Sequence, residues 1–311
     1  MTEGTDPGVY PAPKRTNAWV VVGLGMLLAS VALLVATGNT TVDVTEGSGA
    51  SAGPLLGSLI PVALGLLVIR LLPWRFEAPV VLAGKGRSRV YRELLPAVGI
   101  AVALPALIFA LIRLGANASL WAPALKTALF LVISGLLLRR FGGGEFALGG
   151  RPWLWPAAAS VMYLTLINAG PFAPRFELPA EWRAPSVVPL LLGFSLVSNF
   201  VTAGLAEEIF YRALLQTRLE FLLGRWGGIF AASMLFAALH LPARYDQIWQ
   251  GRTGSPALDF ALALAAVVAF QGVFGLFVGY LWSRYRNLAV NVLMHTAVNV
   301  VPVFLIAADV L

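Results

Sequence analysis

The sequence predicts an all-α fold, a polytopic transmembrane helical bundle with about eight or nine spans. Of its 311 residues, 59% are hydrophobic and only 12% are charged, whereas a soluble domain carries about 25% charged residues. A mean hydropathy of +0.81 agrees with the membrane class. The apolar runs are close to the length of about 20 residues that crosses the hydrocarbon core of a bilayer. Basic residues fall between these runs, as the positive-inside rule requires.

Nine apolar runs follow one another along the chain. Their approximate bounds are Ala18–Thr37, Pro54–Leu72, Leu94–Leu114, Leu120–Leu138, Trp153–Pro171, a run from Val187 into Glu207, Gly227–Leu241, Ala257–Trp282 and Leu288–Ala308. A helix from Val187 to Leu223 would be longer than a bilayer, so we expect it to be tilted or partly re-entrant. The next span is short and is predicted to stop at Pro242.

The runs suggest three parts. Residues 1–16 are polar and proline-rich and are predicted to be a disordered cytoplasmic lead. Residues 17–186 would form N-terminal transmembrane helices that act as support or gate. Residues 187–308 hold most of the charged and polar groups within apolar sequence and would form the functional core. The loop charges predict a multi-pass integral membrane protein with its N-terminus in the cytoplasm, and in the plasma membrane if the protein is bacterial.

Composition also excludes several kinds of function. The chain has no cysteine, which rules out disulfides, thiolate metal sites and a cysteine nucleophile. Most of the basic residues behind the net charge of +7 lie between the spans, so no nucleic-acid partner is expected.

Two adjacent carboxylates and an arginine lie inside an apolar run. Glu208 and Arg212 are four residues apart, a spacing that predicts an ion pair on one helix face. Glu207 projects about 100° away from Glu208 and is free to face a cavity. Charged side chains at membrane depth are costly and usually functional. A purely structural ion-pair cluster is the alternative, and it fits Glu208 and Arg212 better than Glu207.

The only two histidines, His240 and His295, lie further along in similarly apolar sequence. His295 and Asn299 are four residues apart, and Asn291 precedes them by one turn. These groups could be core residues or interhelical hydrogen-bonding groups. They also suit hydrolysis, because a carboxylate and a histidine can deprotonate water. The second histidine and the amide can then donate to an oxyanion.

Metal catalysis is the alternative use of the same groups. Zinc accepts histidine and glutamate ligands, and Glu207, His240 and His295 would be the set. The compact helical motif with two histidines around a glutamate is absent. We therefore expect no cofactor, while a divalent metal such as zinc stays open.

Three motifs, in separate apolar segments, resemble those of the CAAX prenyl protease and bacteriocin-processing (CPBP, or Abi) intramembrane proteases. They are Glu207-Glu208-x-x-x-Arg212, Phe236-x-x-x-His240 and His295-x-x-x-Asn299. The resemblance covers about Val187–Ala308 and implies a glutamate-dependent peptidase, once classed as a metalloprotease, with its site inside a helical membrane core.

By this resemblance, Glu207 is the catalytic glutamate that activates water and His240 is its partner. His295 and Asn299 match the pair assigned to the oxyanion, and Glu208 and Arg212 support the site. Ala213 stands where many members have glycine.

The expected activity is thus an intramembrane endopeptidase. Its partners would be membrane lipid and a peptide or protein substrate, including one lipidated at its C-terminus. A proton- or ion-coupled transporter is a second hypothesis, because intramembrane glutamate and histidine also form proton relays. A non-catalytic immunity or scaffold protein of the membrane is a third.

Overall fold

The chain folds as a bundle of helices, as its sequence predicts. The computed structural model describes residues 16–43, 51–73, 82, 85–115, 118–141, 153–169, 175–176 and 187–308. The predicted disordered lead, residues 1–16, lies outside this range except for Thr16, which begins the first helix.

Five helices precede the region of the motifs. They are α1 (Thr16–Ala36), α2 (Leu55–Leu71), α3 (Arg87–Arg113), α4 (Ala118–Phe141) and α5 (Leu154–Ala169). Each corresponds to one of the predicted spans, although α3 begins seven residues earlier than Leu94 because Arg87–Glu93 is also helical. Prolines lie inside α2, α3 and α4, which neighbouring helices make tolerable at membrane depth.

One continuous helical rod of 36 residues, Val188–Leu223, carries the Glu-Glu motif. It consists of α6 (Val188–Asn199), π1 (Phe200–Leu205), π2 (Glu208–Gln216) and α7 (Thr217–Leu223). The rod ends at Gly224, whose φ of +81° suits glycine. It has the length that the sequence predicts, and that length exceeds what a straight bilayer crossing needs.

The remaining helices complete the bundle. They are α8 (Arg225–Arg244) with π3 (Tyr245–Trp249), α9 (Pro256–Val267) with π4 (Val268–Gly272), α10 (Val273–Tyr285) and α11 (Leu288–Ala308). The expected stop at Pro242 is wrong. Pro242 lies inside α8, and helical structure continues through Arg244 to Trp249. A proline inside a helix removes one backbone hydrogen bond, which neighbouring helices make tolerable at membrane depth.

The helices are suited to a membrane. Within the described ranges, six are long and apolar enough to cross one, and Leu55–Leu71, Leu154–Ala169 and Leu288–Val301 are shorter apolar helices. Large apolar side chains such as Leu95, Leu190 and Phe194 are exposed on the outside of the bundle. Lipid would cover these side chains. The polytopic helical fold is therefore confirmed.

A small antiparallel sheet, which the sequence does not predict, joins two connections. Its strands are β1 (Thr41–Asp43), β2 (Ser51–Pro54) and β3 (Arg175–Phe176), in the order β1-β2-β3. Thr41 pairs with Pro54, and Ser51 pairs with Phe176.

The core that positions the motifs is aromatic. Phe130 of α4 stacks on Phe210 with ring centroids 4.2 Å apart, and Tyr211 meets Phe236 of α8 edge to face at 5.5 Å. At Gly204, a β-carbon would lie 2.2 Å from the Thr296 Oγ1 and 2.8 Å from the Val292 carbonyl of α11. The glycine thus lets the rod approach α11 closely, which brings two of the three motifs together.

Candidate active site

The two motif glutamates are buried where the helix winding changes. Glu207 ends a short α-helical step between π1 and π2, and Glu208 begins π2. The exposed fraction is 1% for Glu207 and 0% for Glu208. π-Helical segments inside α-helices are frequent at functional sites because they redirect side chains. Here the redirection occurs at the adjacent carboxylates.

Glu208 is surrounded by donors from two helices. Arg212 Nε lies 3.3 Å and Asn291 Nδ2 lies 3.2 Å from Glu208 Oε2, while His295 Nδ1 lies 2.8 Å from Glu208 Oε1. The ion pair that the spacing of four residues predicts between Glu208 and Arg212 is therefore present, and Arg212 is fully buried. Both oxygens of Glu208 are occupied, which makes this carboxylate a structural link between the rod and α11.

Glu207 has a different environment. Its Oε1 accepts a close hydrogen bond from the Lys126 Nζ of α4. Its Oε2 is buried and has no hydrogen-bond partner among the residues that the structure describes. His295 Nε2 lies 3.9 Å from that oxygen. One carboxylate oxygen is thus fixed and the other is left for a further ligand.

The two histidines meet around one aromatic ring. The Phe236 ring centroid is 4.8 Å from that of His240 and 5.7 Å from that of His295. His295 Nε2 lies in turn 3.9 Å from Glu207 Oε2. The structure therefore brings Glu207, His240 and His295 together from three helices.

The ring nitrogens of the histidines have defined partners. His240 Nδ1 lies 2.9 Å from the Phe236 carbonyl oxygen, which can only accept, so Nδ1 donates and Nε2 of the neutral ring is an acceptor. His295 Nδ1 donates in the same way to the Glu208 carboxylate. The two imidazoles thus differ in their Nδ1 partners, a backbone carbonyl for His240 and a buried carboxylate for His295.

Asn299 is separate from this cluster. It lies on α11 one turn after His295, and its side chain is exposed. In the described ranges, no hydrogen bond joins Asn299 to Glu207, His240 or His295. Its part in an oxyanion site stays a prediction.

A line of buried polar side chains runs from Glu208 along the rod. Arg212 Nη1 donates to Gln216 Oε1 at 3.4 Å, and Gln216 Nε2 donates to Glu220 Oε1 at 2.7 Å. Glu220 pairs in turn with Arg286, which follows α10. The spacing of four residues keeps these groups on one face and ties Glu208 to the rest of the bundle.

The residues present do not fit a metal centre. No group of three or more histidine, cysteine, aspartate or glutamate side chains is placed to hold a metal ion in the described part of the chain. Glu207 uses one oxygen for Lys126, and Glu208 holds His295 by its Nδ1. Glu207, His240 and His295 meet, but within the described residues they are not grouped as metal ligands.

Two residues at this site were not assigned to it from sequence. Lys126 is the only charged residue inside the predicted span Leu120–Leu138, and this isolated charge is the signal that could have identified it. Asn291 was considered part of a polar stripe, and its amide in fact donates to Glu208 and to the Val278 carbonyl.

Comparison with known proteins supports the motif assignment. Residues 189–301 match the family model "Type II CAAX prenyl endopeptidase Rce1-like". Neither the curated proteins nor the solved structures gave a significant match. The matched region holds all three motifs and implies a peptidase that acts on a peptide or protein substrate in a membrane setting. This match to the family model agrees with the resemblance drawn from the motifs.

Proposed function

We propose that this protein is an intramembrane endopeptidase in which Glu207 and His240 activate water while His295 and Asn299 hold the oxyanion. The observation that carries the proposal is the buried Glu207 Oε2, which has no hydrogen-bond partner within the described chain and faces His295 Nε2 at 3.9 Å. A buried polar atom without a partner is costly unless it serves a ligand. A water molecule is the smallest ligand that would satisfy it.

His240 suits the role of partner to Glu207 as a proton acceptor. Its Nδ1 donates to the Phe236 carbonyl, so the basic Nε2 of the neutral ring can accept a hydrogen bond from water. A general base must lie within hydrogen-bond reach of the proton that it removes, directly or through one water. Glu207 and His240 would then share the two protons of one water molecule.

His295 suits the role of a donor. The Glu208 carboxylate at 2.8 Å from Nδ1 fixes the ring, and Nε2 on its other side lies 3.9 Å from Glu207 Oε2, where a substrate oxyanion could receive a hydrogen bond from it. A donor aimed at a developing oxyanion is among the largest contributions to acyl-transfer catalysis. Asn299 would supply the second donor once a substrate chain lies across α11.

The reaction follows from these roles without a metal or cofactor step. Glu207 takes one proton from water, and the water oxygen forms a bond with the scissile carbonyl carbon. The carbonyl π electrons move to its oxygen, which His295 and Asn299 stabilise as an oxyanion. When the C–O double bond re-forms, the C–N bond breaks, and the leaving amine takes the proton held by Glu207. The products are a carboxylic acid and an amine.

The proposal also assigns the parts of the chain. Residues 187–308 would form the catalytic core, and residues 17–186 would support it or gate substrate entry. A peptide lipidated at its C-terminus, lying in membrane lipid, is the substrate class that fits best, because large apolar side chains surround the bundle. The N-terminus would lie in the cytoplasm.

The test is cleavage of a farnesylated C-terminal peptide, and of the same peptide without the lipid, by purified protein in vesicles. Glu207→Gln should lower kcat by about 10²–10⁴-fold, because it removes the general base, and His240→Ala should lower kcat similarly. Glu93→Gln is the matched control: Glu93 is fully buried and paired with Lys85 and Arg218, outside the site. Its kcat should stay within a few-fold of the wild-type value. Undiminished cleavage by both site variants would contradict the proposal.

The transporter hypothesis is less well supported. It predicts two halves with corresponding interrupted helices. Within the described residues, all four π-helical interruptions lie between Phe200 and Gly272 and none lies in α1–α5. The scaffold hypothesis would gain support if Glu207→Gln kept the full biological effect of the protein.

A further inference from the structure

Lys126 enters the site from α4, outside the region that matches the family. Its ammonium group meets Glu207 Oε1, and its side chain is only 18% exposed. Lysine is rarely buried unless it is paired, so the contact accounts for its position in an apolar helix. A residue of the N-terminal helices thus contacts the candidate catalytic carboxylate directly.

Lys126 is the main positive partner of Glu207. Arg212, the nearest arginine in the sequence, forms its ion pair with Glu208 and not with Glu207. His295 Nε2, at 3.9 Å, is beyond hydrogen-bond distance. Among the described residues, no other lysine or arginine forms an ion pair with Glu207. Without Lys126, a carboxylate that is 99% shielded from solvent would lack a full countercharge.

The packing of α4 fixes where the ammonium group lies. Phe130, one turn after Lys126, is fully buried and stacks on Phe210 at 4.2 Å with an interplanar angle of 9°. Phe130 also meets Tyr211 edge to face at 5.5 Å. These contacts hold α4 against the segment that carries Glu207, so the contact between Lys126 and Glu207 is set by the fold.

As a consequence, one oxygen of the Glu207 carboxylate is held by Lys126, and the other is oriented toward the site. With Oε1 held by Lys126, Oε2 lies 3.9 Å from His295 Nε2. We propose that Lys126 is a positioning residue for Glu207, which keeps the carboxylate ionised and aims its second oxygen at the reacting water. This inference rests on the proposed function for its catalytic part, since it assumes that Glu207 is the base.

The kinetic test compares Lys126→Met, which keeps the length of the side chain without its charge, with Lys126→Arg, which keeps the charge. Misplacing a catalytic group by about 1 Å can cost about 10²-fold in rate. We therefore expect Lys126→Met to lower kcat by about 10²-fold with KM nearly unchanged, because Lys126 does not bind substrate in this proposal. Lys126→Arg should recover most of the lost kcat.

A matched control is available in the same chain. Lys85 is also mostly buried and pairs with a fully buried glutamate, Glu93, away from the site. Lys85→Met removes a comparable ion pair, so it should affect stability but leave kcat within about a factor of two. Equal losses of kcat in Lys85→Met and Lys126→Met would assign the effect to general destabilisation and overturn the proposal.

A second measurement does not depend on activity or on the proposed function. Infrared difference spectra between each protein and its Glu207→Gln counterpart isolate the bands of Glu207. The wild type and Lys126→Arg should show carboxylate bands at neutral pH, and Lys126→Met should show the carbonyl band of a protonated acid. Carboxylate bands of equal strength in Lys126→Met would overturn the inference. If no peptide is cleaved by the wild type while the infrared result holds, the proposed function fails and the effect of Lys126 on Glu207 stands.

Discussion

Glu207 and Glu208 are neighbours in sequence, but the hydrogen-bonding environments of their carboxylates differ. The Glu208 side is saturated, with Arg212, Asn291 and His295 donating to its two oxygens. The Glu207 side is incomplete, with one oxygen on Lys126 and the other without a hydrogen-bond partner in the described chain. Both carboxylates are buried, so solvent does not account for the difference.

This difference indicates that the two glutamates of one motif have different roles, a structural one for Glu208 and a chemical one for Glu207. Fully satisfied buried polar groups rigidify a protein and specify one arrangement, and Glu208 does this by tying the rod to α11. A partly satisfied buried group is a cost that a protein keeps for a ligand or a reaction. The same distinction extends to Asn299, which is exposed, whereas Asn291 two turns earlier is buried and bonded.

The largest expected difference in stability is between Glu208→Gln and Glu207→Gln. Removing one member of a buried ion pair costs about 3–5 kcal/mol, because the other charge is left unpaired. Arg212 would be that charge, and it is fully buried. Glu207→Gln should cost much less, because the partly exposed Lys126 can turn its ammonium group toward water. The free energy of unfolding, measured by SDS titration in mixed micelles, is the readout.

The two variants should therefore differ in which property they lose, activity or stability. Glu207→Gln is expected to be folded and inactive, and Glu208→Gln to be strongly destabilised. Equal free energies of unfolding would mean that the saturated hydrogen bonding of Glu208 contributes no more to stability than the single contact of Glu207. The contrast drawn between the two sides would then be wrong.

Local sequence rules predict the helical fold and the environment of Glu208, but not that of Glu207. Apolar runs of bilayer length locate the helices of the described bundle, and the spacing of Glu208 and Arg212 predicts their ion pair. Both are local properties, determined by residues within a few turns of one another. The small sheet is not predicted because its strands have only two to four residues and pair across connections far apart in sequence.

The environment of Glu207 depends on contacts between helices that are distant in sequence. Lys126 is 81 residues from Glu207, and no rule of helix periodicity joins them. The stop expected at Pro242 fails for a related reason. Packing within the bundle, where Pro242 is buried, outweighs the local effect of this proline in α8. The isolated lysine in an apolar run was visible in the sequence, but its partner was not.

Asn299→Ala is expected to have the next largest effect, on rate alone. Loss of one oxyanion donor typically lowers kcat by about 10²–10³-fold. Because Asn299 is exposed on α11, its free energy of unfolding should stay within about 0.5 kcal/mol of the wild-type value. Peptide cleavage and SDS titration measure the two quantities.

Asn168→Ala is the control for that variant. Asn168 donates only to the Leu164 carbonyl of its own helix, α5, among the contacts that the structure describes. It should leave kcat unchanged. A wild-type kcat in Asn299→Ala would remove Asn299 from the proposed oxyanion site and leave His295 as its only assigned donor.

The smallest effect is expected at Asn291, on the saturated side. Asn291→Leu keeps a similar volume but removes donors to Glu208 Oε2, at 3.2 Å, and to the Val278 carbonyl, at 3.1 Å. Leaving buried acceptors without a donor costs about 1–3 kcal/mol. Glu208 still holds Arg212 and His295, so His295 keeps its orientation and kcat should fall by less than in Asn299→Ala. Thr296→Val is the matched control, because Thr296 is equally buried on α11 but donates only within its own helix. A loss of kcat in Asn291→Leu as large as that in Asn299→Ala would mean that Glu208 needs all three donors to position His295, and that the saturated side acts directly in catalysis.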